Sequence, residues 1–252
     1  MITEKLTFEK LSWAAFLARG FGDLGPDAYM SVYGDSTFRG GLITNPSSTS
    51  NEEVREKLIK GFLNKWRSRF PNTEESASAI LEAIQNSNNL IKATNRFTIE
   101  SVDLSEIVTI KADEITVSEA IARIFNSIAN CYGFRTTAGA KIMGIINPGL
   151  FVMWDDSIAI KYLSGETKNI FSGHGYVLFL RKMQEVAQQC IADFHARVKD
   201  TDPAEYLSKS LLITPAVPLA KYLDEYNWVT ITKNIQVPPK WHPCDIRYSN
   251  KG

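Results

Sequence analysis

Between Gly133 and Ser157 the chain runs Gly-Phe-Arg-Thr-Thr-Ala-Gly-Ala-Lys-Ile-Met-Gly-Ile-Ile-Asn-Pro-Gly-Leu-Phe-Val-Met-Trp-Asp-Asp-Ser, and it carries an amine, Lys141, followed by a carboxylate, Asp155. A lysine whose proton affinity is lowered by burial or by a cationic neighbour becomes a nucleophile. Arg135 is such a neighbour in sequence. A carboxylate stabilises the oxocarbenium-like charge that develops when a glycosidic bond breaks. Small residues at Ala138, Gly139 and Ala140 permit close approach of another backbone, and Thr136 or Thr137 can cap a helix whose first amides point at an anion such as a phosphate. Phe151, Trp154 and Tyr162 stand where they would line a pocket for a base lifted out of a stack. Each residue also has a plainer reading: Asp155 or Asp156 as a helix N-cap, Lys141 as a solvated helix residue, Trp154 as core.

The elements that would position this chemistry follow from the same stretch. A helix from the threonines turns Lys141 outward and Ile142, Ile145 and Ile146 inward, and Asn147-Pro148-Gly149 stops it. The apolar run Leu150 to Trp154 then leads to Asp155 and Asp156 at the start of the next helix. Because the two elements are adjacent and joined by a short loop, Lys141 and Asp155 are expected to face one cleft.

This order resembles the catalytic core of the helix-hairpin-helix DNA glycosylases, in particular the 8-oxoguanine branch. Those proteins carry a glycine-containing hairpin, a lysine two residues after its second glycine and an aspartate at the start of a later helix, as do Gly139, Lys141 and Asp155 here. Thr137 stands at the family's first hairpin glycine, Trp154 precedes the aspartate, and Ser157 stands where the family has a histidine. The resemblance covers roughly 115–161. It implies a helical fold in which Lys141 attacks the anomeric carbon and Asp155 stabilises the sugar cation. It also implies that Arg135, Thr136, Thr137 and Gly139 meet the DNA backbone, and that Phe151, Trp154 and Tyr162 form the base pocket. The implied partner is double-stranded or locally opened DNA.

Elsewhere the periodicity is mainly helical. Leu58, Ile59, Phe62, Leu63 and Trp66 recur at helical spacing behind a capping box of Ser50 and Glu53. The positive charges of that segment, Arg55, Lys57, Lys60, Lys65, Arg67 and Arg69, make either a solvated face or a phosphate-facing patch. A helix is expected from about Glu74 to Ala93, another from Val117 to Ile128 capped by Thr116 and Glu119, and a long one through Phe179, Met183, Cys190 and Phe194. Shorter helices interrupted by Pro215 and Pro218 follow Asp202. Ile107–Ile110 and Trp228–Thr232 read as minor strands or extended connections, and Gly20 to Ser50, with six glycines, reads as a long loop. That loop hints at a bulky modified base, such as those in phage DNA, and a host-defence role would follow.

Length bounds the architecture to one helical domain over 1–252, or two subdomains of about 1–110 and 111–252 around a central cleft. The 28 basic and 28 acidic residues cancel, which argues against an extended electrostatic clamp on nucleic acid and for local patches. Cys131, Cys190 and Cys244 form no CxxC pair, and His174, His195 and His242 lack ligand spacing, so neither a metal nor a cofactor is expected. The N-terminus lacks a signal peptide's apolar core, and the most apolar stretch is too short to span a bilayer, so the expected setting is cytoplasmic, with a monomer as default. Two other functions fit the same residues: a nucleoside or nucleotide N-ribohydrolase, and a helical interaction module without chemistry.

Overall fold

The computed structural model describes residues 6–21, 26–66, 68–131 and 136–238. Among these residues the chain is mainly helical, with one small hairpin. In chain order the helices are α1 (Phe8–Arg19), α2 (Pro26–Tyr33), α3 (Ser36–Thr44), α4 (Asn51–Glu53, continuing as a π-helix over Val54–Leu63), α5 (Glu74–Asn86) and α6 (Asn88–Thr94). Strands β1 (Ile107–Ile110) and β2 (Asp113–Thr116) come next. Then follow α7 (Val117–Ala129), α8 (Thr136–Ile146), α9 (Asp156–Leu163), α10 (Gly173–His195), α11 (Pro203–Ser210) and α12 (Leu219–Asn227), which runs on as a π-helix over Trp228–Thr232.

Local chemistry explains most of these boundaries. Thr116 accepts a hydrogen bond from the Glu119 amide, Ser172 from Gly175 and Asp202 from Glu205, so α7, α10 and α11 each begin at a side-chain cap. Ser50 and Glu53 form the full capping box in front of α4. Asn147 accepts from the amides of Gly149 and Leu150 while its own amide group donates to the Thr94 carbonyl, which ends α8 and ties it to α6.

Three expectations are corrected. The segment Gly20–Ser50 is not a long loop. It contains α2 and α3 and a 3₁₀ turn, because Asp35 caps α3 through the Phe38 amide and Tyr29, Val32, Phe38 and Leu42 bury an apolar face. The inference of a bulky base drawn from that loop loses its basis. The expected helix from Glu74 is two helices broken at Ser87. Trp228–Thr232 is π-helical rather than extended, since it continues α12 and packs against α1 and α9, with Trp228 and Val229 buried. Ile107–Ile110 is a strand, paired antiparallel with Asp113–Thr116 in the register Ile107 to Thr116.

The core is continuous from Leu6 to Leu223 and draws on both halves of the chain. Its centre is the α7–α10 pair. Gly173 docks directly on α7: a side chain there would stand 2.2 Å from the Ala122 carbonyl oxygen, and the Gly173 amide donates to Asn126 at 2.8 Å. Tyr176 stacks on Phe125 with centroids 4.6 Å apart, and Trp154 meets both rings edge-on. Helix α8 packs across α7 at Gly139, where an added Cβ would lie 3.1 Å from Ala129 Cβ, and every residue from Ala138 to Ile146 is buried. Burial of a large apolar side chain contributes roughly 1.5–3 kcal/mol, so Ile142, Ile145 and Ile146 fix this helix firmly.

Candidate functional site

The side chain of Lys141 does not point to solvent as its sequence position suggested. It is 5% exposed, lying between α8 and the chain that leaves the π-helix of α4. Its Nζ donates to the Ser68 hydroxyl at 2.9 Å and to the Trp66 carbonyl at 3.2 Å, and sits 5.4 Å from the Trp66 ring centroid. Both acceptors are neutral. Among the described residues no carboxylate lies within ion-pair distance of Nζ, so burial is not offset by a direct counter-charge. Burial pushes the Lys141 ammonium down from its usual value to about 8, against the pull of Asp224 and then Asp155, with Lys221 adding to the depression and Asp156 opposing it.

Asp155 is the N-cap of α9. Its Oδ1 accepts from the Ile158 amide at 3.0 Å and its Oδ2 from the Thr232 hydroxyl at 2.5 Å. The capping reading of this carboxylate therefore holds, and the same side chain lines a cleft. The neighbouring Asp156 accepts from the Thr137 hydroxyl at 2.9 Å, which joins the start of α8 to the start of α9.

Lys141 and Asp155 line one cleft of about 390 Å³. Trp66, Trp154, Trp228 and Met153 supply apolar wall, and Lys65 and Lys233 the cationic lining. Trp66 and Trp228 pack at 5.9 Å, with Phe21 edge-on to Trp228 at 5.1 Å. The indole N–H groups of Trp66 and Trp154 are buried with no hydrogen-bond partner among the described residues. Orphaned donors are rare in native cores.

Other expected site residues take different places. Trp154 is both core and cleft wall. Phe151 and Tyr162 are buried away from the cleft lining, Phe151 among core rings and Tyr162 with its hydroxyl donating to Asn227 at 2.8 Å. Gly139 serves the α7–α8 contact, and Arg135 lies outside the described residues. Lys57 and Lys60 pair with Asp35, Glu53 and Glu56, so this part of the basic run is a solvated face; among the described residues of that run, Lys65 reaches the cleft lining. Cys131 and Cys190 are free, and burial raises both thiols, to about 11 and about 12, which keeps them protonated.

Reasoning from sequence missed Asp224, which lies in the cleft lining. It belongs to a buried charge cluster on α12: Lys221 Nζ is 2.5 Å from Asp224 Oδ2 and 3.6 Å from Glu225 Oε1, and Arg19 bonds Glu225 at 2.8 Å. Burial raises the Asp224 carboxyl, with Lys221 opposing. The usable signal was the spacing of Lys221 with Asp224 and Glu225, at i+3 and i+4, inside a run of aromatic and apolar residues.

Among the described residues no helix is long and apolar enough to cross a membrane. No family model, no curated protein and no solved structure matches this chain.

Proposed function

We propose that this chain is a DNA N-glycosylase that removes a modified or damaged base and leaves an abasic site. The observation that supports the reading best is a single cleft lined by an amine without a direct counter-ion and by a helix-capping carboxylate, with tryptophan walls. As a neutral amine, Lys141 has two N–H donors, enough for Ser68 and the Trp66 carbonyl, and keeps its lone pair for attack. The lone pair forms the bond to the anomeric carbon as the glycosidic bond breaks with its electron pair leaving on the base nitrogen, which takes up the proton that the amine sheds; the adduct opens to an imine, and water hydrolyses it to free Lys141 and the abasic sugar. The Asp155 carboxylate, held by the α9 amide and Thr232, stabilises the cationic sugar without reorganising. The tryptophans offer stacking faces for an extruded base.

The test is release of free base from a panel of modified duplexes by wild type, Lys141→Ala and Asp155→Asn. Release by wild type alone is expected, with borohydride trapping a covalent adduct through Lys141. Equal release by all three would end the assignment. The cleft's volume of about 390 Å³, within the usual range of small-molecule pockets, favours a second reading: hydrolysis of the same bond in a free nucleoside or nucleotide. Base release from nucleosides and not from duplexes would select it.

A further inference from the structure

Three carboxylates line the cleft: Asp155, Asp156 and Asp224. The first two are committed to local structure. Asp155 spends one oxygen on the α9 cap and the other on Thr232, and Asp156 accepts from Thr137. Asp224 caps nothing. It projects from the interior of α12, it is 3% exposed, and its bonded partner is another ionisable side chain, Lys221. Lys221 in turn lies 4.8 Å from the ring centroids of both Trp66 and Tyr29. The Trp66 ring is thus flanked by two ammonium groups, one balanced by carboxylates and one not.

We propose that Asp224 is the positioning residue that governs the protonation of Lys141, and that Lys221 is the counter-cation that keeps Asp224 from pairing with it. The inference rests on the reading of Lys141 as the site's amine. Two charged groups in a cavity walled by tryptophan interact strongly, because little water screens them. A carboxylate free to pair with Lys141 would hold it as the ammonium and remove the lone pair. With Lys221 clamped on Oδ2, Asp224 is held back from pairing with Lys141, and its remaining pull only partly offsets the burial that lowers the ammonium to about 8. The field of Asp224 on Lys141 exceeds that of Asp155, in keeping with this order. The other groups facing the pair are also accounted for. Glu225 is engaged by Arg19 and Lys221, Tyr29 and Tyr176 are held as neutral phenols by burial, and Lys65 and Lys233 stand in the cleft lining.

The experiment follows the Cε resonance of Lys141 during pH titration of the full chain labelled with [13Cε]lysine, the resonance being assigned from Lys141→Arg. Asp224→Asn is expected to lower the Lys141 midpoint by about one pH unit, and Lys221→Met to raise it by about one, as typical for loss or release of a neighbouring charge. An Asp155→Asn control should move it less than Asp224→Asn. An unmoved midpoint in folded Asp224→Asn overturns the proposal, as does a fall in Lys221→Met. Should the variants not fold, the wild-type resonance decides: coupling to Asp224 gives a second, smaller inflection on the acid side, and a single inflection overturns it. The titration needs no substrate. Midpoints that move as expected while no duplex or nucleoside loses its base leave this charge arrangement standing and sink the glycosylase reading. Base release with unmoved midpoints sinks this inference alone.

Discussion

Lys141 and Lys221 bring their ammonium nitrogens to the same indole, 5.4 and 4.8 Å from the centroid of Trp66, yet among the described residues only Lys221 has carboxylates within ion-pair distance. The contrast separates two uses of a buried lysine. A paired one is a structural ion, and an unpaired one is held close to losing its proton.

The unpaired state has a pH signature in stability. The Lys141 midpoint is about 8 in the folded chain against 10.5 for an ordinary lysine. Between those values the unfolded chain binds more protons than the folded one, so stability rises with pH across this window. Below about pH 8 the full penalty applies, and it is relieved as pH approaches 10.5; the relief amounts to about 3 kcal/mol. Lys141→Met removes the titration. Urea melts of both proteins should therefore show the variant losing about 3 kcal/mol relative to wild type between pH 7 and 10.5. Parallel curves would show that Lys141 titrates normally.

Base release by wild type is expected to rise with pH and level off above about 8, where the amine form of Lys141 dominates. The check is a single-turnover rate profile from pH 6 to 9.5. A rate that falls through this range would contradict the amine as nucleophile.

Asp155 caps α9, the proposed function gives it a chemical role as well, and substitutions can separate the two. Asp155→Asn retains a cap acceptor for Ile158, so thermal stability should fall by under about 1 kcal/mol, whereas Asp155→Ala should cost about 1–2 kcal/mol. Both remove the charge that the proposed function sets against the sugar and should lower base release by on the order of 100-fold or more. Thr232→Val deletes the second hold on the carboxylate and is expected to lie between wild type and Asp155→Asn in rate. Equal rates for wild type and Asp155→Asn would leave the residue only its cap.

What could be read from the sequence depended on whether local chemistry or tertiary burial decided the outcome. Caps at Ser50 and Thr116 and the stop at Asn147-Pro148-Gly149 are local, and the structure has them where the residues demand. The Lys141–Asp155 proximity was legible because only a short connection separates α8 from the α9 cap. The outward turn assigned to Lys141 was wrong because α8 is buried on all sides, which its high apolar content signals but a single lysine obscures. Asp224 was legible only as a charge spacing with Lys221: its burial depends on contacts from α1, α2 and the Trp66 segment, all distant in sequence. Tyr162 had the right composition for a base wall, but its hydroxyl finds Asn227, 65 positions away, inside the core.

The α7–α8 contact is the scaffold on which the amine is mounted, and its tolerance is small. A Cβ at position 139 would lie 3.1 Å from Ala129 Cβ and 3.2 Å from its Cα, so Gly139→Ala needs the helices to part by a few tenths of an ångström. Overpacking of this kind costs typically about 1–3 kcal/mol, and a shift of α8 moves Lys141 relative to the fixed Asp155 cap. Gly139→Ala should accordingly lose more rate than stability: a melting temperature a few degrees lower, with base release reduced at least tenfold and the Lys141 titration midpoint displaced. Gly173→Ala meets the Ala122 carbonyl oxygen at 2.2 Å, where backbone cannot yield, and should fail to fold at 37 °C or melt far below wild type. Thermal melts and single-turnover rates on the two variants test the distinction. Wild-type activity in Gly139→Ala would mean that α8 need not be held at this spacing for the chemistry.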